Sequence, residues 1–311
     1  MSKARLLLAA TLAVLMLIFS GCTSKSTDEA VQLMNKAYKS KDYNRLMVLA
    51  DSLQDEGDLL PSTADYWRGY ACDRMKRKQE AVSYWQRSIE VAAKSEADEE
   101  VENYVKSASR LANQLCIDGD YEGTLKMAKP VVERLEQLKC DNSSDYINLL
   151  IYIGLSQVGL GQAEEESHQG FQLACEKHRQ NINRNHSDDA YKDAIAGLVN
   201  IAYYCVMAGK YEPALYYTRN FGELLIEYEQ RPGVDSSYID RQVGRFTIYK
   251  SLAQNNLGRK ADAEATYKAF LETKFSQSAE GKAMAENYKA GIVASETDET
   301  AESAESAESV E

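Results

Sequence analysis

The residues best suited to chemistry lie in one short region that holds all three histidines of the chain. This region contains His168, Cys175, His178 and His186, with glutamates beside them. Imidazole, thiolate and carboxylate groups are the ligands that zinc prefers in proteins. Cys175 and His178 are one helical turn apart, but His168 lies two turns from Cys175, about 10.5 Å along a helix. Because one ion cannot bridge that distance, we expect a solvated helix face here and no metal site.

No other group of residues indicates catalysis. The sequence has no GxxxxGK[ST] phosphate loop, no HExxH metalloprotease motif and no GxSxG nucleophile motif. Its glycines lie inside helical patterns or at turns, rather than in loops that bind phosphate. We therefore expect that the protein is not an enzyme and that it needs no cofactor.

The first 22 residues have the layout of a secretion signal. A short basic start precedes an apolar run from Leu6 to Phe19, which is shorter than the ~20 residues of a membrane span. Phe19-Ser20-Gly21-Cys22 resembles the lipobox of bacterial lipoproteins. The resemblance implies cleavage before Cys22 and acylation of this cysteine with fatty acids such as palmitate. The alternative is an ordinary signal peptide that leaves Cys22 as a free thiol.

Lipid on Cys22 predicts a permanent membrane anchor outside the cytoplasm, because each buried methylene contributes ~0.8 kcal/mol. Thr23 is not the aspartate associated with retention in the inner membrane, which favours the outer membrane. Five further cysteines remain, an odd number that cannot all pair within one chain. Cys72, Cys116 and Cys205 lie in apolar helical patterns, and we expect them to be core residues.

The charge balance is acidic. The net charge is −12, and it becomes −14 once Lys3 and Arg5 leave with the signal. Residues 294–311 hold seven acids and no base, in a segment that repeats Ala-Glu-Ser three times. Such a segment cannot bury enough apolar surface to fold, so we expect a disordered acidic tail. The overall charge also argues against a nucleic-acid partner.

A turn pattern recurs between long amphipathic helical patterns. Its clearest form is Gly209-Lys210-Tyr211-Glu212-Pro213-Ala214, and related segments begin at Lys41, Arg77, Gly119 and Gly258. The chain has only four prolines and few alternating runs of β-branched residues. We therefore expect helix nearly throughout, almost no strand, and a repeat architecture.

Small and aromatic residues recur on the paired helices of this pattern. In the second pair, Gly69 lies in the first helix, and Ala81 and Trp85 lie in the second. This arrangement resembles the tetratricopeptide repeat (TPR), over about Asp28 to Ala290. The resemblance implies an all-α solenoid of about six helical hairpins. It also implies a groove, lined by the first helices, in which a peptide or a helix docks.

The repeat spacing predicts longer helices in the second half of the chain. Equivalent second-helix positions are 35, 43, 42, 48 and 49 residues apart, against a TPR period of about 34. These positions are Leu46, Ala81, Thr124, Glu166, Ala214 and Ala263. The fourth hairpin fits least, because Glu166 occupies the place of the small packing residue. The polar segment Asn181–Asp189 predicts a loop.

Helical spacing places a set of first-helix residues toward the groove, where aromatic and arginine side chains are common anchors. The set is Tyr66, Tyr70, Asn113, Tyr203, Arg245, Leu252 and Asn256. The alternative is that the tyrosines fill space between long helices.

Lys106 and Arg110, with Asn35, occupy positions similar to the TPR carboxylate clamp, which grips the charged end of a partner. The match is partial, because Val31 and Trp67 replace polar members of that clamp.

These patterns predict four segments: a signal peptide (1–21), the acylated cysteine with a short tether (22–27), the TPR-like solenoid (28–293) and the acidic tail (294–311). The first helix should start near Asp28, and a closing helix should cover Ser278 to Val293. We expect a membrane-anchored TPR lipoprotein that acts as a scaffold or adaptor for an envelope protein or peptide. The alternative is an extracytoplasmic sensory module that binds a small molecule and signals through a separate protein.

Overall fold

The computed structural model describes residues 23–162 and 164–291. Within these residues the chain forms thirteen α-helices and one short 3-10 turn, with no strand. None of these helices combines the length and the apolar character that a membrane span requires. The helices are α1 (Thr23–Lys39), α2 (Tyr43–Asp55), α3 (Pro61–Arg74), α4 (Lys78–Ala92), α5 (Asp98–Ile117), α6 (Tyr121–Gln137), α7 (Ser144–Gly159), α8 (Glu164–Asn185), α9 (Asp188–Met207), α10 (Tyr211–Glu229), α11 (Ser236–Asn256), α12 (Lys260–Glu272) and α13 (Ala279–Lys289).

The helices follow one another as six hairpins and a closing helix, which confirms the all-α solenoid class predicted from the sequence. From α1 to α12, odd-numbered helices are the first helices of the hairpins, and even-numbered helices are the second. Helices α2 to α4 have 13 to 15 residues, whereas α8 to α11 have 19 to 22. The prediction of longer helices in the second half is therefore confirmed.

All six hairpin turns share one backbone device. A residue with positive φ lies just before the second helix, and the N–H of the residue that follows it donates to the carbonyl five residues earlier at 2.8 to 3.0 Å. This is the Schellman motif, which ends a helix by satisfying its last carbonyls. The residues with positive φ are Lys41, Lys76, Gly119, Gly161, Gly209 and Gly258. The recurring turn of the sequence is thus the recurring turn of the fold.

The chain divides into two compact units, with the border inside α5 between Gln114 and Leu115. Unit 1 contains α1 to α4 and most of α5. At the centre of its second hairpin, Trp85 on α4 is 2% exposed and packs against Gly69 on α3. A Cβ atom on Gly69 would lie 2.5 Å from Cδ1 of Trp85. Only glycine allows this approach, as the resemblance to the TPR implies.

A partly buried network of charges connects three helices of unit 1. Arg68 on α3 donates from Nε to Asp51 of α2 at 2.8 Å and from Nη1 to Asp65 at 2.9 Å. Arg87 of α4 reaches the same Asp65 carboxylate at 2.7 Å. Asp65 and Arg68 are 6% and 9% exposed. Because buried charges are costly when unpaired, this network specifies how α2, α3 and α4 stack.

Unit 2 contains α6 to α13 and the end of α5. In its α7–α8 hairpin, the two backbones are in close contact at Gly170 of α8. A Cβ atom there would lie 2.9 Å from the carbonyl oxygen of Leu150 and 3.0 Å from the amide nitrogen of Gly154. Contact this close between two backbones requires glycine. The small packing residue that the repeat pattern places at position 166 is therefore Gly170, one turn later.

The predicted loop Asn181–Asp189 is wrong. Helix α8 continues to Asn185 and α9 begins at Asp188, so only two residues separate them. Ile182, which is 2% exposed, fixes the last turn of α8. The polar residues around it occupy the outward face of a helix, where solvated side chains are tolerated.

The ends of the array also differ from expectation. Helix α1 already includes Thr23, the first described residue, rather than starting near Asp28, because no glycine or proline interrupts the segment Thr23–Lys39. Helix α13 ends at Lys289, and its N-cap is Ser278, which accepts from the Gly281 amide at 3.0 Å. The signal peptide, Cys22 and residues 292–311 lie outside the described residues.

Candidate partner-binding surface

Two first helices of unit 1, α1 and α3, bring aromatic rings together. Tyr38 of α1 lies 5.8 Å from Trp67 and 5.4 Å from Tyr70, both on α3, measured between ring centroids. Tyr70 is 1% exposed, whereas Tyr38 and Trp67 are half-buried. The buried ring of Tyr70 is therefore the base of this group, which we call its floor. The rings of Tyr38 and Trp67 pack against it and are partly exposed.

Cationic side chains surround this floor. The guanidinium carbons of Arg74 and Arg110 lie 5.0 and 5.5 Å from the centroid of the Tyr70 ring. Arg74 also donates from Nε to the Tyr70 hydroxyl at 3.0 Å. A cation over an aromatic ring gains ~0.5–2 kcal/mol, depending on its desolvation. The ring of Tyr70 thus holds both arginines in fixed positions.

Lys106 completes the set on α5, one turn before Arg110, and pairs with Glu102 at 2.7 Å. Burial and the adjacent Tyr70 raise the pKa of Tyr38 well above its ordinary value, although Arg110 acts in the opposite direction. Tyr38 is therefore neutral at physiological pH, and the charge of the surface comes from its cations. We call Tyr38, Trp67, Arg74, Lys106 and Arg110 the aromatic–arginine surface.

The groove residues predicted from the sequence in unit 1 fall into two groups: some are half-buried at the surface, and others are buried beneath it. Lys106, Arg110 and Asn113 are half-buried on α5, as is Asn35 on α1. Tyr66 and Tyr70 are buried, and Tyr66 packs edge-on against Trp67 with 5.3 Å between ring centroids. For these two tyrosines the structure favours the space-filling alternative.

Sequence reasoning missed three members of the surface, namely Tyr38, Trp67 and Arg74. Trp67, Tyr70 and Arg74 have the i, i+3, i+7 spacing of one helical face, so this signal was present in the sequence. Tyr38 lies one turn after Asn35 on α1. The sequence indicates Trp67 only as a departure from the carboxylate clamp, yet its half-buried ring belongs to the surface.

The residues predicted for unit 2 are mostly buried between first helices. Tyr203, Arg245 and Leu252 are 8%, 4% and 5% exposed. The ring of Tyr203 lies 5.2 Å from that of Tyr249, and burial raises the pKa of Tyr203 to about 12. These side chains therefore fill space between α9 and α11, as the alternative proposed.

Two polar residues that were predicted to face the groove in unit 2, Arg245 and Asn256, interact with other residues of the protein. Arg245 donates to Gln242 at 3.4 Å, and its Nε lies 3.9 Å from a carboxylate oxygen of Glu280 on α13. Asn256 is exposed at the end of α11 and donates its Nδ2 to the Leu252 carbonyl at 2.9 Å. Within the set predicted for unit 2, exposure is therefore confined to Asn256.

The histidine region differs from the expected solvated face. His178 is 6% exposed, because Ala174, His178 and Ile182 form the buried stripe of α8 at four-residue spacing. Cys175 is half-buried and His186 is exposed, while the side chain of His168 lies outside the described part. The described residues contain no cluster of three or more His, Cys, Asp or Glu suited to a metal. Cys72, Cys116 and Cys205 are buried free thiols, as predicted.

Comparisons with known proteins identify the fold. No protein-family model and no curated protein sequence matches the chain. A solved structure, the apo form of RapI, superimposes with a TM-score of 0.50 at 13% sequence identity. The alignment covers 84% of this chain and 99% of RapI. At this identity the likeness concerns the fold alone, and together with the six hairpins it establishes an all-α protein of TPR-like helical repeats.

Proposed function

We propose that this protein is an interaction module, tethered to a bacterial envelope membrane by lipid on Cys22, whose aromatic–arginine surface docks a protein or peptide partner. The observation that carries the proposal is the convergence of α1, α3 and α5 of unit 1. These helices gather Trp67 and Tyr38 beside Arg74, Arg110 and Lys106.

The physical support is the fixed geometry of these side chains. Trp, Tyr and Arg are enriched among the residues that contribute most to protein binding. Side chains that are already held by packing lose little conformational entropy when a partner arrives. Tyr70 holds the two arginines, and the neighbouring rings hold Trp67. An extended segment with apolar and acidic side chains matches this combination of rings and cations.

Truncation of the surface should weaken partner binding. We expect Trp67→Ala and Arg110→Gln each to lower affinity roughly 30-fold, which corresponds to ~2 kcal/mol for a central anchor. The partner is first identified by cross-linking in native membranes, and its affinity for each purified variant is then measured by calorimetry.

The control is Tyr216→Ala, which removes an exposed aromatic residue from the second helix α10. It should leave the affinity unchanged. Equal affinity for the wild type and all three variants would remove the surface from the binding site. If a small molecule or glycan then raised the melting temperature of the same protein, a ligand-recognition function would replace the proposal.

The anchor has a separate test. Cys22→Ser should abolish incorporation of an alkyne-labelled palmitate and leave the protein at the size of its uncleaved precursor, because acylation and the cleavage coupled to it both require this thiol. Cys140→Ser, at an exposed cysteine in unit 2, is the matched control and should change neither result. Density-gradient separation of the labelled wild type distinguishes outer from inner membrane. Continued labelling of Cys22→Ser would contradict the assignment.

A further inference from the structure

A buried histidine lies where two consecutive hairpins of unit 2 meet. His178 on α8 is 6% exposed, and its Nε2 atom has no hydrogen-bond partner among the described residues. The ring faces Gly197 of α9, where an added methyl group would overlap Nε2 and lie 3.2 Å from Cδ2. The edge of the imidazole thus packs directly against the backbone of α9.

We infer that this contact is an acid-sensitive joint, in which protonation of His178 weakens the packing of α8 on α9 and opens the two hairpins. A neutral imidazole leaves one nitrogen without a proton, whereas an imidazolium carries N–H donors on both. In the closed joint, Nε2 faces glycine rather than an acceptor. A charge buried without a partner is strongly disfavoured.

The surroundings of His178 offer no compensating charge. Burial alone lowers the pKa of His178 to about 4, with no contribution from a charged or titratable neighbour. The ionisable groups close to one another on α8, α9 and α10 include the Cys175 thiol, the Cys205 thiol and the Tyr217 phenol. Burial raises the pKa of all three, to about 12 for both thiols, so they stay neutral in mild acid.

The charged residues that flank His178 on α8 are engaged elsewhere. Lys177 pairs with Asp141, and Arg179 pairs with Glu227 of α10 at 2.6 Å. Both members of the Arg179 pair are more than 40% exposed. Neither ion pair therefore places a carboxylate against the imidazole.

The direction of the pH effect follows from proton linkage. In an open joint His178 has its ordinary pKa of about 6.5, whereas the closed joint lowers it to about 4. Between these values the open form binds more protons, so the closed form loses stability as the pH falls from 6.5 to 4. Above pH 6.5 the closed form is unaffected. The opening equilibrium should rise on the order of 100-fold between pH 7 and pH 4.

Thiol labelling of the mature full-length protein tests the joint. Dithiodipyridine reacts with each thiol by disulfide exchange, in which the thiol is oxidised to a mixed disulfide and one thiopyridone is released. Mass spectrometry then assigns the rates at pH 7 and pH 4.5. Cys175 on α8 and Cys205 on α9 report the joint. Exposed Cys140 corrects for the intrinsic effect of pH, and buried Cys72 of unit 1 is the control.

In the wild type, we expect the rates of Cys175 and Cys205 relative to Cys140 to rise at least tenfold at pH 4.5, while Cys72 does not respond. In His178→Asn and His178→Phe, which cannot be protonated at this position, the relative rates should stay flat. Circular dichroism at pH 7 shows which variant keeps the helical content, and that variant is used. No rise in the wild type, or an equal rise in the variant, overturns the inference.

Discussion

Gly69→Val should lower the free energy of unfolding of unit 1 by about 3 kcal/mol. The introduced Cβ would lie 2.5 Å from Cδ1 of Trp85, which is 2% exposed and has no space into which to move. Overpacking of this kind displaces both helices of the hairpin. Trp67 and Trp85 are the two tryptophans of the chain, so tryptophan fluorescence during urea unfolding reports on unit 1.

Gly222→Ala is the matched control, because a Cβ at this helical glycine of α10 meets nothing within 4 Å. Alanine has the higher helix propensity, so this change should stabilise the protein by up to ~1 kcal/mol. Circular dichroism during thermal unfolding measures it, since α10 lies in unit 2. A Gly69→Val protein with the urea midpoint of the wild type would show that α3 and α4 are not packed as described.

Asp65→Ala should destabilise unit 1 by a similar amount, about 3 kcal/mol. The change leaves Arg68, which is 9% exposed, without its buried carboxylate, and it removes the partner of Arg87 as well. Asp51, the remaining acid in contact with Arg68, has a side chain that is 63% exposed and compensates only in part. Urea unfolding followed by tryptophan fluorescence measures the loss.

A double-mutant cycle separates the charge from the packing. Asp65→Ala combined with Arg68→Met should be more stable than Asp65→Ala alone, because no unpaired buried cation remains. Glu264→Ala, which breaks the exposed pair with Lys268, is the control and should leave the unfolding midpoint unchanged. Strictly additive effects at positions 65 and 68 would indicate that the two side chains do not interact in solution.

The architecture could be predicted because its determinants are local. The turn at Gly209, the pairing of Gly69 with Trp85 and the number of hairpins all follow from residues close together in the sequence. The greater length of α8 to α11 follows from the repeat spacing.

The features that could not be predicted depend on which side chains of one helix are covered by a neighbouring helix. The imidazole of His178 is buried because α9 presents a glycine to it, and the polar end of α8 stays helical because Ile182 is covered. The close approach at Gly170 depends on the carbonyl of Leu150 and on Gly154 in the preceding helix. The sequence of one helix does not contain this information.

The binding surface could be predicted only in part, for the same reason. Lys106 and Arg110 share one face of α5, which their spacing shows. Tyr70 has the same spacing as an exposed anchor, yet it lies beneath Arg74 and Arg110 and is 1% exposed. Whether a tyrosine is buried beneath the surface or exposed to a partner depends on how two neighbouring hairpins stack.

A photo-cross-linker at position 67 tests the central claim most directly. Benzoylphenylalanine replaces Trp67 with another aromatic side chain, and in a second strain it replaces Tyr216, which is 56% exposed on α10. After irradiation of living cells, position 67 should yield one discrete envelope-protein adduct, and Arg110→Gln in the same chain should reduce it. Position 216 should not yield that adduct. The same adduct from both positions, or none from position 67, would contradict partner docking on the aromatic–arginine surface.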